Sequence, residues 1–183
     1  MIAAPHAADP RPLIGEPLSL DLLNTRWNHD GTPQDLLTGV EGLAVWLASA
    51  GLAERFAADG PTLERTRVAR DALLAAVDGP GDGASLARVD GVLAHGRIRA
   101  TLDAAGPGER AEFAEASWGP GWSAARDYLE LLRAAPDRIK ACAHEACILH
   151  FFDTSRNGTR RWCSMAACGN RAKASRHYAR TKG

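Results

Sequence analysis

Three features are missing from this sequence of 183 residues, and each absence excludes a class of protein. No apolar run approaches 18 residues, which excludes a membrane-spanning helix. Residues 1–12 hold no basic stretch followed by a long apolar stretch, so we expect no secretory signal and a cytoplasmic protein. No G-x-S-x-G, P-loop or G-x-G-x-x-G pattern occurs, so we expect that the protein is not an enzyme.

Lysine is also absent from the first 136 residues, and the charges of the chain are divided unevenly. Residues 1–136 carry 12 Arg against 19 Asp or Glu, whereas residues 137–183 carry 10 Lys or Arg against 3 acids. The net charge of zero therefore hides an acidic part and a basic part. A basic segment of this kind is typical of proteins that bind a polyanion.

The pattern predicts an α+β fold in which residues 1–12, with three prolines, form a flexible tail. Residues 13–136 are mostly helical, with a short apolar run at 18–23 and a loop at 28–34. Helices are predicted over residues 38–50, 61–77, 84–94 and 123–134. Alternating polar and apolar residues at 97–102 and 111–116 predict a β-hairpin. Pro136 marks the predicted domain boundary.

Residues 137–183 predict a second, smaller unit. Two short extended pieces, 138–142 and 147–152, flank a turn and predict another β-hairpin. A polar, turn-rich stretch follows at 153–159. The composition of residues 164–180, rich in Ala, Arg and Lys, predicts a C-terminal helix.

The four cysteines all lie in this smaller unit and form two close pairs. Four residues separate Cys142 from Cys147, four separate Cys163 from Cys168, and fifteen lie between the pairs. Such spacing is the signature of a tetrahedral zinc site. Zinc replaces the hydrophobic core that a segment of this size cannot build. A complete set of four cysteines leaves no open position, so the predicted zinc is structural.

Disulfide bonds and an iron–sulfur cluster are the alternatives to a zinc site for these cysteines. Two disulfides would suit an oxidising compartment, which the expected location does not provide. An iron–sulfur cluster usually has other spacings. His144 and His150 are close enough in sequence to replace a cysteine, although four cysteines make that unnecessary.

The predicted last helix carries a basic face. At 100° per residue, five polar side chains share that face: Asn170, Lys173, Arg176, His177 and Arg180. Arg and Lys can neutralise phosphates, and Asn can pair with adenine, so the face suits DNA. Arg160 and Arg161, in the loop before Trp162, add two more candidate phosphate contacts. A solvated surface helix, an acidic protein partner and RNA are the alternatives.

The stretch Trp162-Cys163-Ser164-Met165-Ala166-Ala167-Cys168-Gly169-Asn170-Arg171 resembles the CGNR zinc finger. The resemblance runs from about residue 138 to residue 180 and includes the first cysteine pair, residues 153–158, Arg160-Arg161-Trp162 and Lys173-Ala174. The N-terminal part is similar to the ABATE domain, through Leu20-Asp21-Leu22-Leu23-Asn24-Thr25 and the 43–52 helix with Trp46.

The resemblance implies that Cys142, Cys147, Cys163 and Cys168 are the zinc ligands. It maps the CGNR signature onto Cys168, Gly169, Asn170 and Arg171; Arg171 lies off the Lys173 face, so it contacts either a phosphate or the hairpin. It also implies a stress-induced bacterial transcription regulator. Residues 13–136 would then be an ABATE-like sensor or dimerisation domain, and residues 137–183 a CGNR-type finger.

The same resemblance suggests a ligand site at Asn24 and Thr25 in the first domain. Their alternative role is to cap a turn through bonds from side chain to backbone. His29, Asp30 and His95 could form an acid–base site only on paper, because their spacing does not support one. The expected partners are therefore DNA, a small-molecule effector or protein partner, and a second copy of the chain. A zinc-stabilised module that docks an acidic protein is the alternative function, and an enzyme in the first domain is the least favoured.

Overall fold

The computed structural model describes residues 8–169, and these residues form an α+β fold. The helices are α1 (Leu18–Leu23), α2 (Val40–Ser49), α3 (Gly60–Asp78), α4 (Gly83–Leu93) and α5 (Gly119–Ala134). The strands are β1 (Arg26–His29), β2 (Thr32–Asp35), β3 (Gly96–Asp103), β4 (Gly106–Phe113), β5 (Ile139–Ala141) and β6 (His150–Phe152). Strand β1 pairs with β2, β3 with β4 and β5 with β6, and each pair is an antiparallel hairpin.

The main core lies among the helices. The long helix α3 packs against α1, α4 and α5, and α1 is almost wholly buried between α3 and α5. Leu20, Leu43, Trp46 and Leu73 are shielded completely from solvent in this core. The apolar spacing that predicted the helices therefore marks the buried faces.

The starts of two helices follow from their capping residues. The carboxylate of Asp59 accepts a hydrogen bond from Thr62 N (2.9 Å), and Asp82 does the same for Ser85 N (2.8 Å). Aspartate at this position satisfies a backbone N–H that the helix cannot bond itself. The predictions of helices at 61–77 and 84–94 are confirmed, as is the one at 38–50. Helix α5 begins at Gly119, four residues earlier than predicted.

The prediction of a loop at residues 28–34 is wrong, because most of that stretch belongs to the β1–β2 hairpin. Asp30 and Gly31 form its two-residue turn with φ values of 47° and 80°. Two positive φ values match the turn that suits the twist of a hairpin. The strands are short and carry Pro33 and several polar residues, so they lack the alternation that reveals a strand in sequence.

The β3–β4 hairpin was predicted, but its bounds differ. The second strand runs over Gly106–Phe113, so the prediction of a strand up to residue 116 is wrong. The Gly106-Pro107-Gly108 stretch, which falls between the two predicted strands, belongs to β4. The predicted hairpin at 138–142 and 147–152 is confirmed as β5 and β6, with shorter strands. A single helical turn, Met165–Gly169, begins the predicted last helix, whose remainder lies outside the described residues.

Part of the expected tail is packed against the first unit. The guanidinium of Arg11 is buried, pairs with Asp9 and Asp21, and donates a hydrogen bond to Ser49 Oγ (3.2 Å). The other boundaries of the predicted domains stay predictions. Within residues 8–169, no helix is both long and apolar enough to cross a bilayer.

Candidate metal centre

The first cysteine pair sits at the open end of the β5–β6 hairpin. Cys142 follows β5 directly, and its N–H donates to Leu149 O (2.8 Å), which extends the ladder by one pair. Cys147 N donates to His144 O (2.8 Å) and closes the intervening turn. These two hydrogen bonds hold the backbone of the first cysteine pair at the end of the hairpin.

The second pair is held by the chain that returns beside this turn. Ala143 N donates to Arg161 O (2.8 Å), so the segment before Cys163 is tied to the first pair. The helical turn then brings Cys168 back, with Cys168 N donating to Ser164 O (3.0 Å). A Cβ at Gly169 would lie 2.6 Å from the sulfur of Met165, so a larger residue here would require the flexible Met165 side chain to move.

The four sulfur atoms meet in a cluster that fits zinc. All four Sγ atoms lie within 4.8 Å of one another, with Cys147–Cys163 at 3.8 Å and Cys163–Cys168 at 3.6 Å. A zinc–sulfur bond of about 2.3 Å places the ligands of a tetrahedron about 3.8 Å apart. The same distances are far from a disulfide bond of about 2.05 Å, and the four thiols are free.

The environment favours thiolate at the most exposed of the four positions. The pKa of Cys147 is lowered to about 5 by a hydrogen bond from Cys163, with a further bond from the Leu149 backbone. The pKa of Cys163 is raised because its proton is held by Cys147 and because the group is buried. Burial raises the pKa of Cys168 to about 12. A divalent cation that replaces these protons relieves the repulsion between neighbouring thiolates.

A small apolar shell surrounds the cluster and draws on both predicted domains. Leu149 and Phe151 from the finger pack with Cys142 and Cys163, and Trp27 from β1 packs among them. Cys163 N also donates to Cys142 Sγ (3.4 Å). Shells of this kind keep water away from ligands and fix their orientation. The finger is therefore built against the first unit.

Asp153 is a second residue that organises the finger, and no metal or catalytic motif singles it out in the sequence. It is fully buried, pairs with Lys140 Nζ (2.7 Å) and accepts hydrogen bonds from Ser155 N and Arg160 N (2.9 Å each). Burial opposes its charge, but these bonds outweigh burial and hold the pKa of Asp153 far below its usual range. An Asp that closes a turn two residues on is the only pattern that points to it.

The two arginines predicted to contact phosphate lie in different settings. The guanidinium of Arg160 turns inward, donates to Trp162 O (2.9 Å) and to Cys163 O, and lies over the Phe151 ring at 4.3 Å. Arg161 is exposed, with its guanidinium 5.3 Å from the centre of the Trp162 ring. Arg160 therefore holds the second cysteine pair in place, and Arg161 is free to face a partner.

Asn24 and Thr25 are fully buried and make internal hydrogen bonds. Asn24 exchanges two bonds with the backbone of His150, at 2.9 Å and 2.8 Å. Thr25 Oγ1 donates to Leu22 O (2.7 Å) and accepts from Arg70 (2.8 Å). The ligand-binding role stays a prediction, while these contacts match the alternative of bonds from side chain to backbone.

The three residues considered for an acid–base site, His29, Asp30 and His95, do not come together in the structure. His29 and Asp30 are exposed beside each other, with 3.7 Å between Nε2 and Oδ2. His95 instead stacks flat on Trp118, with ring centres 3.7 Å apart. The remaining predicted DNA contacts, Asn170, Arg171, Lys173, Arg176 and Arg180, lie outside the described residues.

Two further residues of the first unit, Glu16 and Asn28, contact the finger. Glu16 accepts a hydrogen bond from Phe152 N (2.9 Å) and pairs with Arg160 (3.7 Å). Burial raises the pKa of Glu16, and these two partners offset part of that effect. Asn28 donates to Ala146 O (3.0 Å) on the turn between the first two cysteines.

A closed cluster of four cysteines, built on a hairpin and a helical turn and docked on a helical unit, defines a protein with a structural zinc finger. Residues 138–181 match the family model of the CGNR zinc finger. Residues 16–135 match the ABATE model, described as "Putative stress-induced transcription regulator". The chain belongs to the ABATE family and carries a CGNR finger that holds one structural zinc ion. A search of curated proteins gave no match.

Proposed function

We propose that the protein is a DNA-binding transcription regulator in which the zinc finger presents a basic segment to DNA. The observation that carries the proposal is the position of the metal centre. The last cysteine of the cluster is Cys168, and residues 170–183, which follow Gly169, hold five Lys or Arg and no acid. Zinc therefore anchors the start of a segment whose charge suits the phosphate backbone.

Some Lys and Arg side chains of the finger are occupied by contacts within it, which leaves fewer of them available to bind DNA. Arg138 donates to Asp153 O and Ser155 O, Lys140 pairs with Asp153, and Arg160 bonds the Trp162 and Cys163 carbonyls. These three residues support the fold. Arg161 is exposed beside Trp162, so it joins residues 170–183 as the DNA-facing set in this proposal.

The first unit acts, in this proposal, as the sensor of a ligand or partner. Support comes from the buried contacts of Asn24 with His150 and of Trp27 with the shell of the cysteine cluster. In this proposal, a change in the packing of α1 or β1 alters the finger directly, because buried contacts connect the two units. A homodimer built on the first unit is compatible with this arrangement.

The proposal is tested by selecting genomic DNA fragments on the zinc-loaded full-length protein and titrating salt. The test variant combines Lys173→Ala, Arg176→Ala and Arg180→Ala. The control combines Arg97→Ala, Arg99→Ala and Arg110→Ala, which removes the same charge from the exposed β3–β4 hairpin. If all three finger residues contact phosphates, the slope of log K against log salt falls by about 3 in the test variant only.

An enriched sequence that binds far more tightly than bulk DNA supports the proposal. Equal losses in the two triple variants would mean that net charge alone governs binding. If no sequence is enriched and binding vanishes at physiological salt, the basic segment serves an acidic protein partner instead, and the proposal fails.

A further inference from the structure

A cavity of about 420 Å³ lies where α1 and α3 meet the finger. Leu23, Leu74 and Asp78 line it from the first unit, and Ala141, Ile148 and His150 line it from the finger. Its size is that of a site for a small organic molecule. Because both units supply its walls, the cavity exists only while the finger is docked.

Buried polar atoms in the cavity wall lack partners. Nε2 of His150 and Nε of Arg70 make no hydrogen bond among the residues that the structure describes, although both side chains are more than nine-tenths buried. His150 Nε2 lies 3.4 Å from Asp78 Oδ1. Each of the two atoms exposes less than 1 Å² of surface, so neither is open to a ligand in the cavity. An exposed polar group at the cavity edge is the Asp78 carboxylate.

The positive charges at the cavity are already offset by carboxylates. Arg70 bonds both oxygens of Asp35, at 2.6 Å and 2.8 Å. Arg26 pairs with Asp35 and with Asp71, each at 3.2 Å. An anionic ligand would have to compete with these carboxylates for the two guanidinium groups.

The negative charge of Asp78 is not offset in the same way. Asp78 is the last residue of α3, whose last turn has no basic residue, so the partial negative charge of the helix end adds to that of the carboxylate. Its side chain is 61% exposed at the edge of the cavity. Burial lowers the pKa of His150 and outweighs the opposing effect of Asp78, so the neutral imidazole is favoured beside this carboxylate.

We propose that this cavity binds a small organic ammonium ion with an apolar body. The ammonium group pairs with Asp78 at the edge, and the body packs against Leu23, Leu74 and Ile148. Such a ligand binds the docked finger and not an undocked one, so it stabilises the docked arrangement by mass action. The regulatory consequence rests on the proposed function, whereas the binding itself does not.

Calorimetry on the zinc-loaded full-length protein at pH 7 tests the proposal with three probes that share one body. The probes are 2-phenylethylamine, 2-phenylethanol and phenylacetate. We expect the amine to bind most tightly and phenylacetate least. Asp78→Asn should weaken amine binding by about fivefold, the upper range for a partly exposed ion pair, and leave the alcohol unchanged. Asp90→Asn, on the exposed face of α4, is the matched control with no expected change.

A second pair of variants fills the cavity. Ile148→Trp should abolish binding of all three probes, and Leu74→Phe repeats the test away from the zinc ligands if the first variant loses metal. Tighter binding of phenylacetate than of the amine, unchanged amine binding in Asp78→Asn, or no binding of any probe overturns the proposal. Since no DNA is present, the result is independent of the DNA selection.

Discussion

The side-chain amide of Asn24 bonds both the N–H and the carbonyl of His150, so one residue of the first unit completes the edge of a strand in the finger. Both partners are buried. A side-chain amide carries both a donor and an acceptor, so it can bond the N–H and the C=O of one residue as a neighbouring strand would. The finger is therefore specified partly by a residue 126 positions away in the sequence.

Replacing Asn24 by Ala should destabilise the protein by about 2–4 kcal/mol, because two buried backbone groups of His150 lose their partners. Asn28→Ala is the matched control: its bond to Ala146 O is exposed, so the change should stay within about 0.5 kcal/mol. Urea unfolding followed by tryptophan fluorescence measures both. Equal small effects would show that the Asn24 bonds do not hold the units together.

The metal site was predictable because it is local in sequence. Two cysteine pairs and their spacing define the ligand set, and the described Sγ atoms come together as expected. The docking of the finger was not predictable in the same way. Trp27 lies in a segment that looks like a loop, and nothing in its spacing points to the cysteine cluster that it covers.

The internal contacts of Arg160 are a second feature that could not be predicted from the sequence. From sequence, Arg160 and Arg161 are equivalent basic neighbours before a tryptophan. Only the fold shows that one side chain reaches back to the Cys163 carbonyl while the next faces solvent. Consecutive residues in extended chain point in opposite directions, but which one points inward depends on tertiary contacts.

Cys163→Ser should release the metal and unfold the finger, because three thiolates and a hydroxyl no longer close the tetrahedron. Zinc content after dialysis, measured by atomic emission, checks the result. His144→Ala is the control and should keep one zinc per chain, since the four cysteines form a complete set. Retention of zinc by Cys163→Ser, or its loss from His144→Ala, would require a different ligand set.

The ion pair of Asp35 with buried Arg70 should make stability depend on pH in the acid range. Burial opposes the charge of Asp35, but the bonds from Arg70 and Arg26 outweigh it and hold the pKa of Asp35 below its usual value. Its contribution is therefore present above the ordinary carboxyl pKa of about 3.9 and is lost as the pH falls through the lower folded pKa.

Asp35→Asn should accordingly cost about 3–5 kcal/mol at pH 7, because the Arg70 charge stays buried without its partner. The difference from the original protein should shrink below about pH 4. Asp30→Asn, in the exposed β1–β2 turn, is the control and should change stability at pH 7 by no more than about 0.5 kcal/mol. A constant cost for Asp35→Asn down to pH 2 would mean that the carboxylate charge does not matter.

Two glycines in helices should respond to alanine in opposite directions. A Cβ at Gly42, in α2, would collide with the backbone carbonyl of Leu36, so Gly42→Ala should destabilise by about 1–3 kcal/mol. A Cβ at Gly91, in α4, meets open space, so Gly91→Ala should stabilise by about 0.5–1 kcal/mol. Thermal unfolding of the two variants measures the contrast, and a loss of stability in both would show that α4 is tighter than described.

Arg160 and Arg161 should separate metal binding from DNA binding. Arg160→Ala removes the donor to the Trp162 and Cys163 carbonyls and the contact with Phe151, so zinc affinity should fall by about tenfold, the lower range for residues that orient metal ligands. Lysine cannot make the forked bond or the flat contact, so Arg160→Lys should not restore zinc affinity.

Arg161→Ala should leave zinc affinity unchanged and weaken DNA binding. Competition with a chromophoric chelator measures the first effect and a salt titration the second. If Arg160→Ala keeps full zinc affinity, the inward guanidinium is not part of the support of the metal centre.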